Sequence, residues 1–194
     1  MLNLRKCGHK DLERYYSLLE MDFAKEEIIS KLSLHRALLN GSAELLVVYD
    51  EKSSLEVAYA LVLTKNLYGY VLLKYMAVLP WYRGKGVGIA AMRLINKRYA
   101  DRQGIIAELT SFEDEDGSMI KGLRKFFARF GYVVVDSDYR IGGAPVELMV
   151  KPIKGTFEIE PVEHRIINDF YTRILNPFTM DKMIDIRPVR KPEE

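Results

Sequence analysis

One cysteine, one tryptophan and seven prolines are all that this chain has of those residues, and the cysteine count already excludes something. With Cys7 alone there is no internal disulfide, and a reducing cytoplasm is the fitting compartment. No apolar run approaches the roughly 20 residues that span a bilayer. The opening stretch MLNLRKCGHKDLERYY lacks the apolar core of a signal peptide. A cytoplasmic protein with no membrane partner is therefore expected. Charge of one sign is scarce too: 29 Lys and Arg against 27 Asp and Glu leave a net +2. That is too small a basic excess for a general nucleic-acid binder, so none is expected as partner. His9, His35 and His164 are scattered and Cys7 stands alone, so no metal site is expected either.

What the chain does have is 48% hydrophobic and 29% charged residues, the balance of a globular protein with a core. Its 194 residues are long for one domain and short for two, which predicts one domain with an appendage. LNLRKC reads as a short strand. From Lys10 to about Leu39 apolar residues recur at helical spacing, first Leu12, Tyr15, Tyr16, Leu19 and Phe23, then Ile28, Ile29, Leu32 and Leu39. Two helices broken near Asp22–Lys25 are expected there. AELLVVYD, LEVAYALVLTK and YVLLKYMAVLP follow as strands separated by turns. IAAMRLINKRYADR is an amphipathic helix and GIIAELTSF the next strand. SMIKGLRKFFARFGY is a second such helix, with Ile120, Leu123, Phe126, Phe127 and Phe130 facing the core and Gly131 as cap. A strand pair, YVVVDSDYRI and VELMVKPI, closes the series. The expected fold is mixed α/β (α+β): a mostly antiparallel seven-stranded sheet flanked by helices over residues 1–152. An extension at 153–194 carries a helix at about 161–176, opened by Pro161 and stopped by Asn176-Pro177, and then a short tail.

The densest feature is MAVLPWYRGKGVGI, Met76 to Ile89, where three glycines and two cations follow a buried-looking strand. A glycine turn without a ligand is the plain alternative. A dinucleotide fingerprint needs G-x-G-x-x-G after the first strand, and the spacing here is Gly84, Gly86, Gly88 after roughly the fourth. A Walker loop needs Ser or Thr after its lysine, and Gly86 follows Lys85. What survives is a strand, a short glycine loop and a helix N-terminus, where unpaired N–H groups and the helix dipole attract phosphate. Arg83 and Lys85 would add to the attraction.

AVLPWYRGKGVG resembles the acyl-CoA-binding signature of the GNAT superfamily of N-acetyltransferases, R/Q-x-x-G-x-G/A after a strand ending in AV. Arg83, Gly86 and Gly88 fill its three places. FFARFGY is similar to the family's F-Y-x-x-x-G-F stretch, and the element order agrees over residues 1–152. The resemblance implies an acetyl-CoA-dependent N-acetyltransferase with an acyl-CoA N-acyltransferase fold. Acetyl-CoA would lie where two parallel strands, YVLLKYMAV and IIAELT, diverge. The pyrophosphate would rest on the N–H groups of Arg83, Gly84, Lys85, Gly86, Val87, Gly88 and Ile89, and the pantetheine arm along Met76, Ala77 and Val78. The Val78 N–H is placed to stabilise the oxyanion as a primary amine of a small molecule or peptide attacks the thioester directly, in a ternary complex.

The amine needs a base, because an alkyl amine of pKa about 10 is mostly protonated at neutral pH. The family's carboxylate on the strand before the loop is absent, with Leu72 and Lys74 there instead. Glu108 on the following strand is the remaining candidate; some superfamily members, aminoglycoside acetyltransferases among them, carry an acid there, and a structural Glu paired at the strand end or a water relay with no dedicated base are the alternatives. The family's acid tyrosine falls on Phe127, which has no proton to give. Tyr139 is the expected substitute, with Tyr132 and Tyr75 as alternatives, and a packing aromatic is the other reading of each. These departures keep open a second class: a catalytically weak CoA-binding sensor or assembly module on the same fold. Glu113 to Asp116 form an acidic run where an acceptor would enter, read as a solvated loop or as a cation trap. The apolar face of the extension helix (Val162, Ile166, Ile167, Phe170, Ile174) must be buried, over the acceptor cleft or in a homodimer contact.

Overall fold

The computed structural model describes residues 1–110, 117–154 and 166–186; of Asp136, Ser137, Asp138, Tyr139, Asp181 and Ile186 it describes the backbone alone. β1 (Leu2–Cys7) leads into α1 (Leu12–Asp22) and α2 (Lys31–Leu39). α1 buries Leu12, Tyr15 and Leu19, the stripe its periodicity announced. The break between the helices is a single turn at Lys25–Glu27, and Ser30 then caps α2 by accepting the Ser33 N–H.

β2 (Ala43–Asp50), β3 (Glu56–Leu63) and β4 (Tyr70–Val78) pair antiparallel in sequence. Their near-continuous apolar runs reflect burial on both faces. Leu45 and Val47 enter one core with α1 and α2; Leu46 enters a second with α3 (Val87–Arg98) and α4 (Ser118–Ala128). α4 presents Ile120 and Phe127 as buried residues, with Leu123, Phe126 and Phe130 partly buried beside them. β5 (Gly104–Thr110) runs parallel to β4, the connection between them passing through α3. β6 (Val133–Ile141) and β7 (Ala144–Pro152) form a hairpin in which β7, not β6, lies against β5.

The tail differs from its expectation in an instructive way. Residues 161–165 lie outside the described residues, so the start expected at Pro161, and Val162 with it, are among those left aside. From Ile166 the chain forms a short helix, α5 (Asn168–Thr172), and Asn176-Pro177 does end that helical stretch. The same pair then starts another: Asn176 accepts the Thr179 N–H and Pro177 takes the first position of α6 (Pro177–Met183). β8 (Ile184–Ile186) follows and pairs with β6, giving an eight-stranded sheet of order β1-β2-β3-β4-β5-β7-β6-β8 instead of seven strands. The apolar face of the extension is taken up by the chain's own first core, where Ile166, Ile167, Phe170 and Tyr171 are buried. No helix of the described residues is long and apolar enough to cross a membrane.

Candidate active site

β4 and β5 pair as neighbours only from Tyr70↔Gly104 to Leu73↔Ala107. Beyond that point β4 still follows β3 as far as Val78, and β5 still follows β7 as far as Thr110. The two strands therefore part, and the sheet opens between Lys74–Val78 and Glu108–Thr110. An irregularity in β4 sits at the branch: Tyr75 pairs with Leu61 and Leu73 with Val62, so Lys74 is an extra, bulged residue. The bulge brings both Leu72 and Tyr75 into the core under α1 and α2, three residues apart where a regular strand would give two. The Leu79 N–H donates to Val57 O on the β3 side, so the N–H of Val78, one residue earlier in extended chain, faces the opening.

At the mouth of the opening lies the glycine loop. Gly84 and Gly86 have φ of +72° and +75°, the left-handed region, and a Cβ at either would meet nothing within 4 Å. Their glycines answer to backbone conformation, not to crowding. The Ile89 and Ala90 N–H groups both donate to Gly86 O. The N–H groups of Gly84 through Gly88 have no partner among the described residues, and α3 begins at their end. A row of outward amides at a helix N-terminus, over open space, fits a pyrophosphate.

The two cations of the loop have protein partners of their own. Arg83 Nε donates to Val78 O at 2.9 Å and its Nη2 to Asp22 Oδ1 at 2.7 Å. Asp22 Oδ2 accepts from the Tyr59 hydroxyl at 2.8 Å. Burial and then this bond push the Tyr59 hydroxyl well above its usual pKa. Arg83 thus ties the loop to β4 and to the end of α1. Lys85 Nζ donates to Trp81 O at 2.9 Å, and Trp81 beside it is 84% exposed.

Glu108 is the first residue of β5 past the last pair with β4, on the face of α1, α2 and α5. Its side chain is 1% exposed, as is that of Lys74, whose Nζ donates to Glu108 Oε2 at 2.8 Å. The Tyr171 hydroxyl donates to the same carboxylate, 2.9 Å from Oε1 and 2.8 Å from Oε2. The Lys74 ammonium lies between two rings, 5.2 Å from the centroid of Tyr75 and 5.6 Å from that of Tyr171. Glu108 as a residue is only half-buried because its backbone, on the parted strand edge, carries the exposure that its side chain lacks. Nearby, the buried Tyr75 hydroxyl donates to Glu27 O and accepts from the Ile29 N–H, which engages it fully in the α1–α2 connection.

Phe127 lies in the core under α3 and α4, edge-on to Tyr132 at 5.1 Å. The Tyr132 hydroxyl donates to Asn96 Oδ1. The backbone of Tyr139 pairs with Val146 and Ile186; its side chain, and the acidic run Glu113 to Asp116, lie outside what is described. Tyr171 was not among the residues that the sequence pointed to. Its one available signal was position on the apolar face of a helix whose place in the fold was open. The β6–β7 turn meets the α1–α2 connection: a Cβ at Gly142 would lie 2.7 Å from Glu26 Cβ and 2.9 Å from Glu26 O. Gly142 N–H donates to Met183 O of the tail. A cavity of about 360 Å3 lies at this seam, lined by Glu26, Gly142, Phe178, Thr179, Lys182 and Met183.

A mixed sheet that parts between two parallel strands, with a row of open amides at the parting, defines an acyl-CoA N-acyltransferase fold. Residues 41–134, from just before β2 to the start of β6, match the family model described as an acetyltransferase (GNAT) domain. Over those residues the chain carries a GNAT acetyltransferase domain. Solved structures agree on the fold. A GNAT-family acetyltransferase of Bacteroides thetaiotaomicron has TM-score 0.64 at 18% identity, over 82% of this chain and 90% of that one. Arabidopsis thaliana NAA60 in complex with a bisubstrate analogue has TM-score 0.59 at 16% identity, over 80% and 100%. A dodecameric spermidine N-acetyltransferase of Vibrio cholerae has TM-score 0.60 at 13% identity, over 78% and 94%. Among curated protein sequences none matches.

Proposed function

We propose that this acetyltransferase uses acetyl-CoA as donor and acetylates a primary amine of a small molecule or peptide by direct attack in a ternary complex. The observation that carries the reading is the unpartnered amide row of Gly84–Gly88 at the mouth of the β4–β5 opening. On this reading the loop from Arg83 to Ile89 holds the pyrophosphate, and the parted edge at Met76, Ala77 and Val78 pairs with the pantetheine arm as an added strand would. When bound, acetyl-CoA supplies an activated acyl group with a fair leaving thiolate. The Val78 N–H, facing the opening, stabilises negative charge on the carbonyl oxygen. Glu108 stands beside the opening as the candidate to take up the amine proton, directly or through a water, and Tyr139 as the candidate to protonate the thiolate.

A second reading draws on two observations. Phe127 holds no proton, and the Glu108 carboxylate is already engaged by Lys74 and Tyr171. On that reading the chain binds CoA and turns over little, as a sensor or assembly module. A thermal-shift titration with CoA tests what the two share, and no stabilisation well above micromolar CoA rejects both. A thiol-release assay over polyamines, aminoglycosides, amino acids and peptides separates them. Turnover with any amine supports the enzyme, and binding without turnover across the panel supports the sensor.

A further inference from the structure

We infer that Tyr171, in the C-terminal extension, is a positioning residue of the acetyl-transfer site, acting through Glu108. The inference rests on the reading of Glu108 as the proton acceptor beside the β4–β5 opening.

The case begins with where the side chains meet. Lys74 is the bulged residue of β4 and Glu108 the first residue of β5 past its pairing with β4, so their ion pair spans the branch itself. Parted strands lose their backbone bonds at that point, and the pair replaces them with a side-chain cross-link. Of the Glu108 carboxylate Lys74 engages one oxygen, Oε2. The Tyr171 hydroxyl reaches both oxygens, at 2.9 and 2.8 Å, and so sets the plane of the carboxylate. Its ring also lies 5.6 Å from the Lys74 ammonium, as Tyr75 does at 5.2 Å.

Tyr171 is itself held hard. It is 0% exposed, and its neighbour Phe170 is 1% exposed in the same core. Leu67 N–H donates to Asp169 Oδ2 and Asn66 Nδ2 to Ile166 O, so the connection before β4 grips the extension at two points. Packing of this kind aims one hydroxyl with little freedom. Phe127 of α4, by contrast, lies in the other core. The extension, outside the matched family residues 41–134, thereby becomes part of the site.

The test uses the full chain with Tyr171→Phe, which keeps the ring and removes the hydroxyl, and Tyr171→Ala, which removes both. CoA binding is read from the single tryptophan, Trp81, beside the loop. Turnover is read as thiol release from acetyl-CoA with spermidine, lysine and an alanine-initiated peptide as acceptor probes. The expected result for Tyr171→Phe is CoA affinity unchanged, kcat lowered about tenfold, and KM for acetyl-CoA unchanged. Its effect on kcat should vanish in a Glu108→Gln background, because the inferred action runs through that carboxylate. Tyr171→Ala should lower kcat as far and reduce thermal stability as well. Full turnover in Tyr171→Phe, or a loss that simply multiplies with Glu108→Gln, overturns the inference while leaving the acetyltransferase reading in place. Wild-type protein that binds CoA but releases no thiol with any probe overturns both.

Discussion

Replacing Lys74 with Met tests the physics at the branch point most directly. Methionine is close to lysine in length and fills the channel between Tyr75 and Tyr171, so the perturbation is the removal of one buried charge. Both members of the pair are 1% exposed, so solvent screening is minimal and the Glu108 carboxylate would be left buried beside Tyr171. Breaking a buried pair from one side costs about 3–5 kcal/mol. For a chain of this size each kcal/mol lowers Tm by about 2–4 °C, so a fall of about 6–20 °C is expected. Removing both charges, as Lys74→Met with Glu108→Leu, should recover most of that, because an apolar pair avoids the desolvation of two ions. It should not recover all of it: the Tyr171 hydroxyl then lacks its acceptor, a cost of about 1–3 kcal/mol. Adding Tyr171→Phe should remove the remainder. Urea unfolding followed by far-ultraviolet circular dichroism measures all four proteins. The reasoning fails if Lys74→Met loses less than about 1 kcal/mol, or if the double variant is no more stable than the single one.

Three further predictions follow from the same geometry. Gly86→Ala forces a side chain into φ of +75° with no crowding, so stability should fall by only about 1–2 kcal/mol while CoA affinity, read from Trp81, drops about tenfold as the amide row shifts. Asp22→Asn removes the charge that holds Arg83 on the loop; a several-fold loss in CoA affinity with less than about 1 kcal/mol loss in stability is expected, and unchanged affinity would show that the loop keeps its shape without that tie. Burial pushes the Glu44 carboxyl up, but hydrogen bonds from Tyr99, Lys6 and Arg98 outweigh it and hold the group below its ordinary value. A depressed carboxyl stabilises the fold above its unfolded pKa and loses that contribution as pH falls through its folded one. Glu44→Gln should therefore flatten the loss of stability below about pH 4.5, as measured by urea midpoints against pH.

Much of the molecule follows from local pattern. The stripe Leu12–Tyr15–Leu19, the apolar runs of β2 to β4 and the glycine loop after Val78 each answer to short-range rules: helix periodicity, two-sided burial and the left-handed backbone at Gly84 and Gly86. Arg83 and Lys85 were legible as positive charge near a phosphate loop. That they bind Val78 O, Asp22 and Trp81 O depends on what the turn brings within reach. The tail shows the limit most clearly. Asn176-Pro177 carries the residues of a helix start as much as of a stop, and β8 is too short to signal itself when an edge strand of the sheet supplies its partner.

The sequence by itself determined the order of the elements up to residue 152, the acetyltransferase signature and the loop, because these rest on residues a few positions apart. Only the tertiary structure decided what the candidate base touches. Lys74, Glu108 and Tyr171 are separated by 34 and 63 residues along the chain, and no spacing rule links them. They meet because β4 bulges where it leaves β5, and because burying the apolar face of α5 carries the Tyr171 hydroxyl to the Glu108 carboxylate.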